Sequence, residues 1–109
     1  MGGYVGPLID RALLKNAATG TSEGVDVAGC SALAFYVAGS TGVSAGAVTL
    51  EESHDKDFTG AWTPIGTAVT VIVGVAVPVR LNGAAKAVRA RITTAVVGGT
   101  GVTVVVVGA

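Results

Sequence analysis

Three short stretches hold residue types that could do chemistry. Gly42-Val-Ser-Ala-Gly46 matches the Gly-x-Ser-x-Gly pattern that presents a nucleophilic serine. That motif needs a strand feeding a sharp turn into a helix on a parallel sheet, with a histidine and an acid brought in later. Here both flanks read as strand, and the only histidine, His54, lies in an acidic turn. Ser44 therefore reads as a loop residue. Glu51-Glu-Ser-His-Asp-Lys-Asp57 is the most polar run, and Asp55, Asp57, Thr59 and Gly60 imitate the opening of a calcium loop. The bidentate carboxylate that should close such a loop falls on Gly66. A looser surface calcium site competes with a solvated hairpin in which Asp55 or Asp57 bonds its own backbone. His54 with carboxylates nearby has donors suited to zinc, but a lone loop histidine reads as exposed. Gly98-Gly-Thr-Gly101 lacks the lysine and the following helix of a phosphate loop, and reads as a hairpin turn. No catalytic residue, no metal and no cofactor are expected.

Two arginines suggest binding instead. Arg89 and Arg91 project from one face of a strand, and Glu51 projects from a strand of similar pattern. They either meet as cross-strand ion pairs or present a charged face to a partner. The aromatics Tyr4, Phe35, Tyr36, Phe58 and Trp62 do not interleave with basic residues, so nucleic acid is not an expected partner. Trp62 reads as a plug at the end of a core, with sugar stacking as the sharper alternative.

The elements that must position these residues follow from composition and spacing. The chain has 109 residues, enough for one domain, and is rich in valine (20), alanine (18), glycine (17) and threonine (12), with only six leucines. Branching at Cβ favours pleated strands, and this choice leaves little for long helices. Basic and acidic residues cancel at seven each, so nothing draws the chain toward nucleic acid or anionic lipid. At 13% charged, the surface must be largely small and uncharged, which suits coverage by another protein. Cys30 is the single cysteine, so no internal disulfide or thiolate metal site is expected. The N-terminus lacks the basic start and apolar stretch of a signal peptide. The apolar run 68–79 is interrupted by Thr70, Gly74 and Pro78. It falls short of the roughly 20 residues of a membrane helix, so a soluble chain with no membrane partner is expected.

Residues 1–7, with three glycines and a proline, read as an extended N-terminal arm, and 8–109 as a single domain. Candidate strands fall at 24–28, 32–38, 47–53, 62–65, 68–73, 75–81, 87–94 and 102–107, with glycine turns between most of them. Leu33, Phe35 and Val37 share one face of their strand, as do Val48 and Leu50. Val88, Ala90 and Ile92 alternate with Arg89, Arg91 and Thr93. Leu33, Phe35, Val37, Val48, Leu50, Val88, Ile92 and Val104 make up the predicted core. Pro78 cannot donate to a ladder, so its strand belongs at an edge or carries a bulge. Valine at every position from Val104 to Val107 predicts that both faces of the last strand are covered, the second by the N-terminal arm or another subunit. The expected fold is all-β: an antiparallel β-sandwich of jelly-roll type with an extended N-terminal arm.

The order of segments carries a resemblance over nearly the whole chain. Leu8-Ile-Asp-Arg-Ala-Leu-Leu14 opens it, then a polar loop and Val25-Asp-Val-Ala-Gly29. Val48-Thr-Leu-Glu-Glu-Ser-His-Asp55 with Phe58 follows, then Val88-Arg-Ala-Arg-Ile-Thr93, and a Gly-Thr turn into the valine-rich last strand. This resembles the small jelly-roll cement, or decoration, proteins on the capsids of tailed bacteriophages. The resemblance implies a virion protein on the outer capsid surface, a homo-oligomer (dimer or trimer), with the major capsid protein as partner and no catalysis. Tyr4, Val5, Leu8, Ile9, Arg89 and Arg91 are the candidate partner-binding residues. The segment 4–14 is expected to be ordered by the capsid or a sister subunit, so that the sandwich survives its removal. The competing expectation is a first strand that completes the sandwich. The alternative function is a carbohydrate-binding β-sandwich module of a phage tail or surface protein, built on Trp62 with Asp55 and Asp57.

Overall fold

The computed structural model describes residues 9–54, 61–82 and 85–109, and there the chain is all β, with no helix among the described residues. Nine strands follow in order: β1 Ile9–Ala17, β2 Val25–Asp26, β3 Ala32–Gly39, β4 Ala45–Ser53, β5 Thr63–Pro64, β6 Val69–Thr70, β7 Val77–Asn82, β8 Ala87–Val97 and β9 Val102–Gly108. They form two antiparallel sheets packed as a β-sandwich. The first has the order β1-β9-β3-β7 and the second β2-β8-β4-β5, with β6 also paired to β4.

The pairings are nested. β1 pairs with β9, β2 with β8, β3 with β7, and β4 with both β5 and β6. The chain is thus one long hairpin whose rungs fall alternately in the two sheets. Period-two alternation fills the space between them. Leu33, Phe35 and Val37 of β3 and Val102, Val104 and Val106 of β9 face Val48 and Leu50 of β4 and Val88 and Ala90 of β8, all buried. The predicted core is observed, except that Ile92 is half-buried and packs at its margin.

Pro78 lies on β7, an edge strand, where its missing N–H breaks no interior ladder. The outer side of β8 is covered although β2 has only two residues. Val96 and Ile92 donate to the carbonyls of Ala18 and Gly20 (both 2.9 Å), and Ser22 donates to Ala90 (2.8 Å). An open ladder there would be a template for pairing with other chains.

Val105 and Val107, on the outer face of the last strand, are half-buried by the described residues, and the arm expected to cover them lies outside those residues. The strand lies centrally between β1 and β3, where β-branched side chains suit the pleat. Three expectations are corrected. The glycine turns at 39–42 and 98–101 are not hairpins, because β3 and β4, like β8 and β9, lie in different sheets. They are corners, and the chain likewise passes from one sheet to the other between β7 and β8. Gly42, Gly98, Gly99 and Gly101 adopt positive φ there (95°, 83°, 61° and 114°), and the two corners pass backbone against backbone. The strands predicted at 24–28, 62–65 and 68–73 shrink to two residues each, while β4 and β8 are longer than predicted. Finally, Ile9 to Leu14 belong to β1, with Leu14 in the core and Ile9 and Leu13 packed against it. This part of the predicted docking segment is a sandwich strand. Tyr4, Val5 and Leu8, with the rest of the arm, lie outside the described residues.

Candidate functional site

The charged cluster sits on the outer face of the second sheet. Because Leu50 and Ala90 face the core, their neighbours Glu51 and Arg89 face away from it, and the β4–β8 register sets these two directly opposite each other. Thr49 is likewise opposite Arg91. The β4–β5 pairing places Pro64 opposite Glu51, so Trp62, two residues earlier, falls on the same side. Three strands thus bring one carboxylate, two guanidinium groups and one indole together.

Their roles differ. Arg89 Nε donates to Glu51 Oε1 at 2.8 Å, and its guanidinium carbon lies 4.3 Å from the centroid of the Trp62 ring. Arg91 Nε stands 3.5 Å from Glu51 Oε2, a looser ion pair. Exposure follows the same order: the Glu51 side chain is 6% exposed, Arg89 25% and Arg91 46%. Arg89 is held between a carboxylate and an aromatic face, where partial desolvation makes a cation–π contact worth about 1 kcal/mol. Arg91 keeps most of its fork of donors toward solvent. Thr49 and Ser53, on the same face of β4, are buried.

Arg89 and Arg91 therefore come together with Glu51, as the alternation of their strands suggests. Ile9 is remote from them, paired with Gly108 at the edge of the first sheet. Trp62 does not plug the core: it lies outside the second sheet against Arg89. Its position depends on the β4–β5 register, which residue types alone do not set.

The other chemical candidates separate. Ser44 is exposed and its hydroxyl donates to the Val97 carbonyl at 3.4 Å. His54 is exposed beyond the far end of β4. Ten residues of extended chain span roughly 33 Å, so the two cannot act together. Asp55, Asp57, Thr59 and Gly60 lie outside the described residues, so the acidic turn is described only as far as His54. Cys30 is buried at that same end, under the last strand: a Cβ on Gly108 would come within 3.0 Å of its sulfur. Burial, helped by the negative charge of Asp26, pushes its thiol above the ordinary value of 9.0. That environment makes it unreactive.

The site is a surface cluster of charge and aromatic packing on the outer face of the second sheet. Compared with known proteins, the chain matches no family model, no curated protein and no solved structure.

Proposed function

We propose that this chain is a structural virion protein, a capsid cement or decoration protein that binds the outside of an assembled major-capsid-protein lattice and acts by binding alone. The observation that carries the reading is the nested strand pairing. A long hairpin rolled into two four-stranded layers is how a jelly roll is built, if β5 and β6 are counted as one interrupted strand. The described parts of the segments that resemble cement proteins include, in order, β1, β2, β4, β8 and β9 or parts of them. In this reading a compact sandwich offers two sheet faces to neighbouring coat subunits. A ligand that binds only the assembled lattice stabilises it by its binding free energy. Assembly of the chain into a dimer or trimer would turn weak single contacts into firm attachment.

Co-sedimentation with expanded capsid shells of tailed phages tests the proposal, with a glycan array run on the same preparation. The expected result is saturable pelleting with shells and no glycan signal. Glycan binding without shell binding would replace the proposal with the carbohydrate-binding module.

A further inference from the structure

An antiparallel sheet with one face in water alternates apolar residues inward with polar residues outward. The first sheet departs from this at its two central strands. Alternating with the buried Val104, Val106, Phe35 and Val37, β9 and β3 turn Val105, Val107, Ala34 and Tyr36 outward, all half-buried. The pairings line these residues up in rows across the sheet. One row runs Asp10, Val107, Ala34, Arg80 from β1 to β7, and the next runs Ala12, Val105, Tyr36, Pro78. The first row is apolar in the middle and carries opposite charges at its ends, three strand spacings or about 14 Å apart. Asp10 and Arg80 are both exposed, and neither has an ion-pair partner among the described residues.

We propose that this face is a self-association surface, met by the same face of a second copy about a two-fold axis that runs along the strands between β9 and β3. The order of residues in the rows selects that occupant. Such an axis lays β1 of one copy over β7 of the other and each row over its own counterpart. Asp10 then faces Arg80 of the second copy and Arg80 faces its Asp10, the reciprocal exchange that a two-fold contact requires. In the next row Tyr36 lies over Val105 of the second copy and Val105 over its Tyr36, which puts an aromatic anchor near the centre of the contact. Stacked sheets lie about 10 Å apart, a gap that an arginine and an aspartate reaching toward each other can close. An in-plane axis across the strands would instead lay β7 over β7, where the strand VPVRLN holds no carboxylate for Arg80. Joining edge to edge is disfavoured, because β7 carries Pro78 and β1 breaks register twice, between Ala12 and Leu14 and between Leu14 and Ala17. The pairing does not rest on the capsid reading; in that reading it leaves two second-sheet faces, one per copy, for coat subunits.

Sedimentation velocity of the full chain at about 50 mM salt tests the proposal. It compares wild type, Asp10→Arg, Arg80→Asp, the variant carrying both changes and, as a control on the second sheet, Arg91→Glu. All three positions are exposed, and circular dichroism should show each variant folded. Wild type and Arg91→Glu should be dimers. Each single change at Asp10 or Arg80 sets two like-charged pairs across the axis and should weaken dimerisation at least about tenfold. The variant with both changes should dimerise again, since it re-forms both pairs in reverse at unchanged net charge. An equimolar mixture of the two single variants should dimerise too, because the two introduced charges then face each other and the two native ones do likewise. A wild type that is monomeric at about 100 µM overturns the inference. So does a trimer, a pair of single variants that dimerise like wild type, or a double variant that stays monomeric. Shell binding is read separately. A monomer that pellets with shells overturns this inference and leaves the proposed function standing; a dimer that never pellets leaves the inference standing and defeats that function.

Discussion

Replacing Glu51 by glutamine tests whether the cluster on the second sheet is a stabilising element. The substitution keeps the shape and one acceptor but removes the one negative charge bonded to Arg89 among the described residues. An exposed ion pair contributes about 0–1 kcal/mol, and breaking a buried one costs about 3–5 kcal/mol. This pair lies between, with Glu51 6% and Arg89 25% exposed at their side chains. A loss of about 2 kcal/mol is therefore expected, with Arg91 adding only a few tenths through its longer contact. For a domain of this size that lowers the melting temperature by roughly 10 °C. Urea unfolding should be followed by far-ultraviolet circular dichroism, because Trp62 touches the perturbed group and its fluorescence baseline would shift. A double-mutant cycle with Arg89→Gln should return a coupling of about 1–2 kcal/mol, and one with Arg91→Gln less than about 0.5. A Glu51→Gln loss below about 0.5 kcal/mol, or equal couplings to the two arginines, would refute the ranking by exposure and distance.

Gly98→Ala places a Cβ against the Gly42 carbonyl oxygen at a φ of 83°, and should lower the urea midpoint by the equivalent of about 3 kcal/mol or more. Gly20→Ala, also at positive φ but with open space around it, should lose only about 1 kcal/mol in the same titration. Cys30 sets a pH dependence: its native pKa is raised, so its contribution is complete below the unfolded value of 9.0 and is lost as pH rises toward the native one. Urea midpoints of wild type should thus fall more steeply between pH 8 and pH 10 than those of Cys30→Ala, and parallel profiles would contradict the burial argument. Deleting residues 1–14 removes most of β1 with the buried Leu14 and opens the β9 ladder, so it should abolish cooperative melting. A stable sandwich after that deletion would restore the docking-segment reading of Ile9 to Leu14.

What the sequence discloses is the side of the sheet on which each residue lies. Leu33, Phe35 and Val37, or Val88 and Ala90, are buried because a strand turns its side chains alternately to its two faces. Which strands are neighbours is a different kind of information. A short glycine loop reads alike whether it closes a hairpin or turns a corner between layers. The choice at Gly98 to Gly101 is made by Val102 pairing with Gly39 and Ala17, far away in the chain. The run from Val104 to Val107 is ambiguous for a related reason: valine suits a central strand whether or not its outer face is covered.

The same limit explains the candidate site. Alternation places Glu51, Arg89 and Arg91 on the outward face, and an outward glutamate reads as solvated. It is in fact nearly dry, because Arg89 and Trp62 close over it once β5 pairs back onto β4. Side of the sheet and contact with water are therefore separate properties, and only the first has a period. This separation also divides the two arginines. Arg89, desolvated between a carboxylate and an indole, belongs to the fold, and its loss should appear first in unfolding. Arg91 sits one alternation further along, opposite Thr49, and reaches Glu51 only diagonally, Nε to Oε2 at 3.5 Å. Its loss should lower stability by only about a few tenths of a kcal/mol.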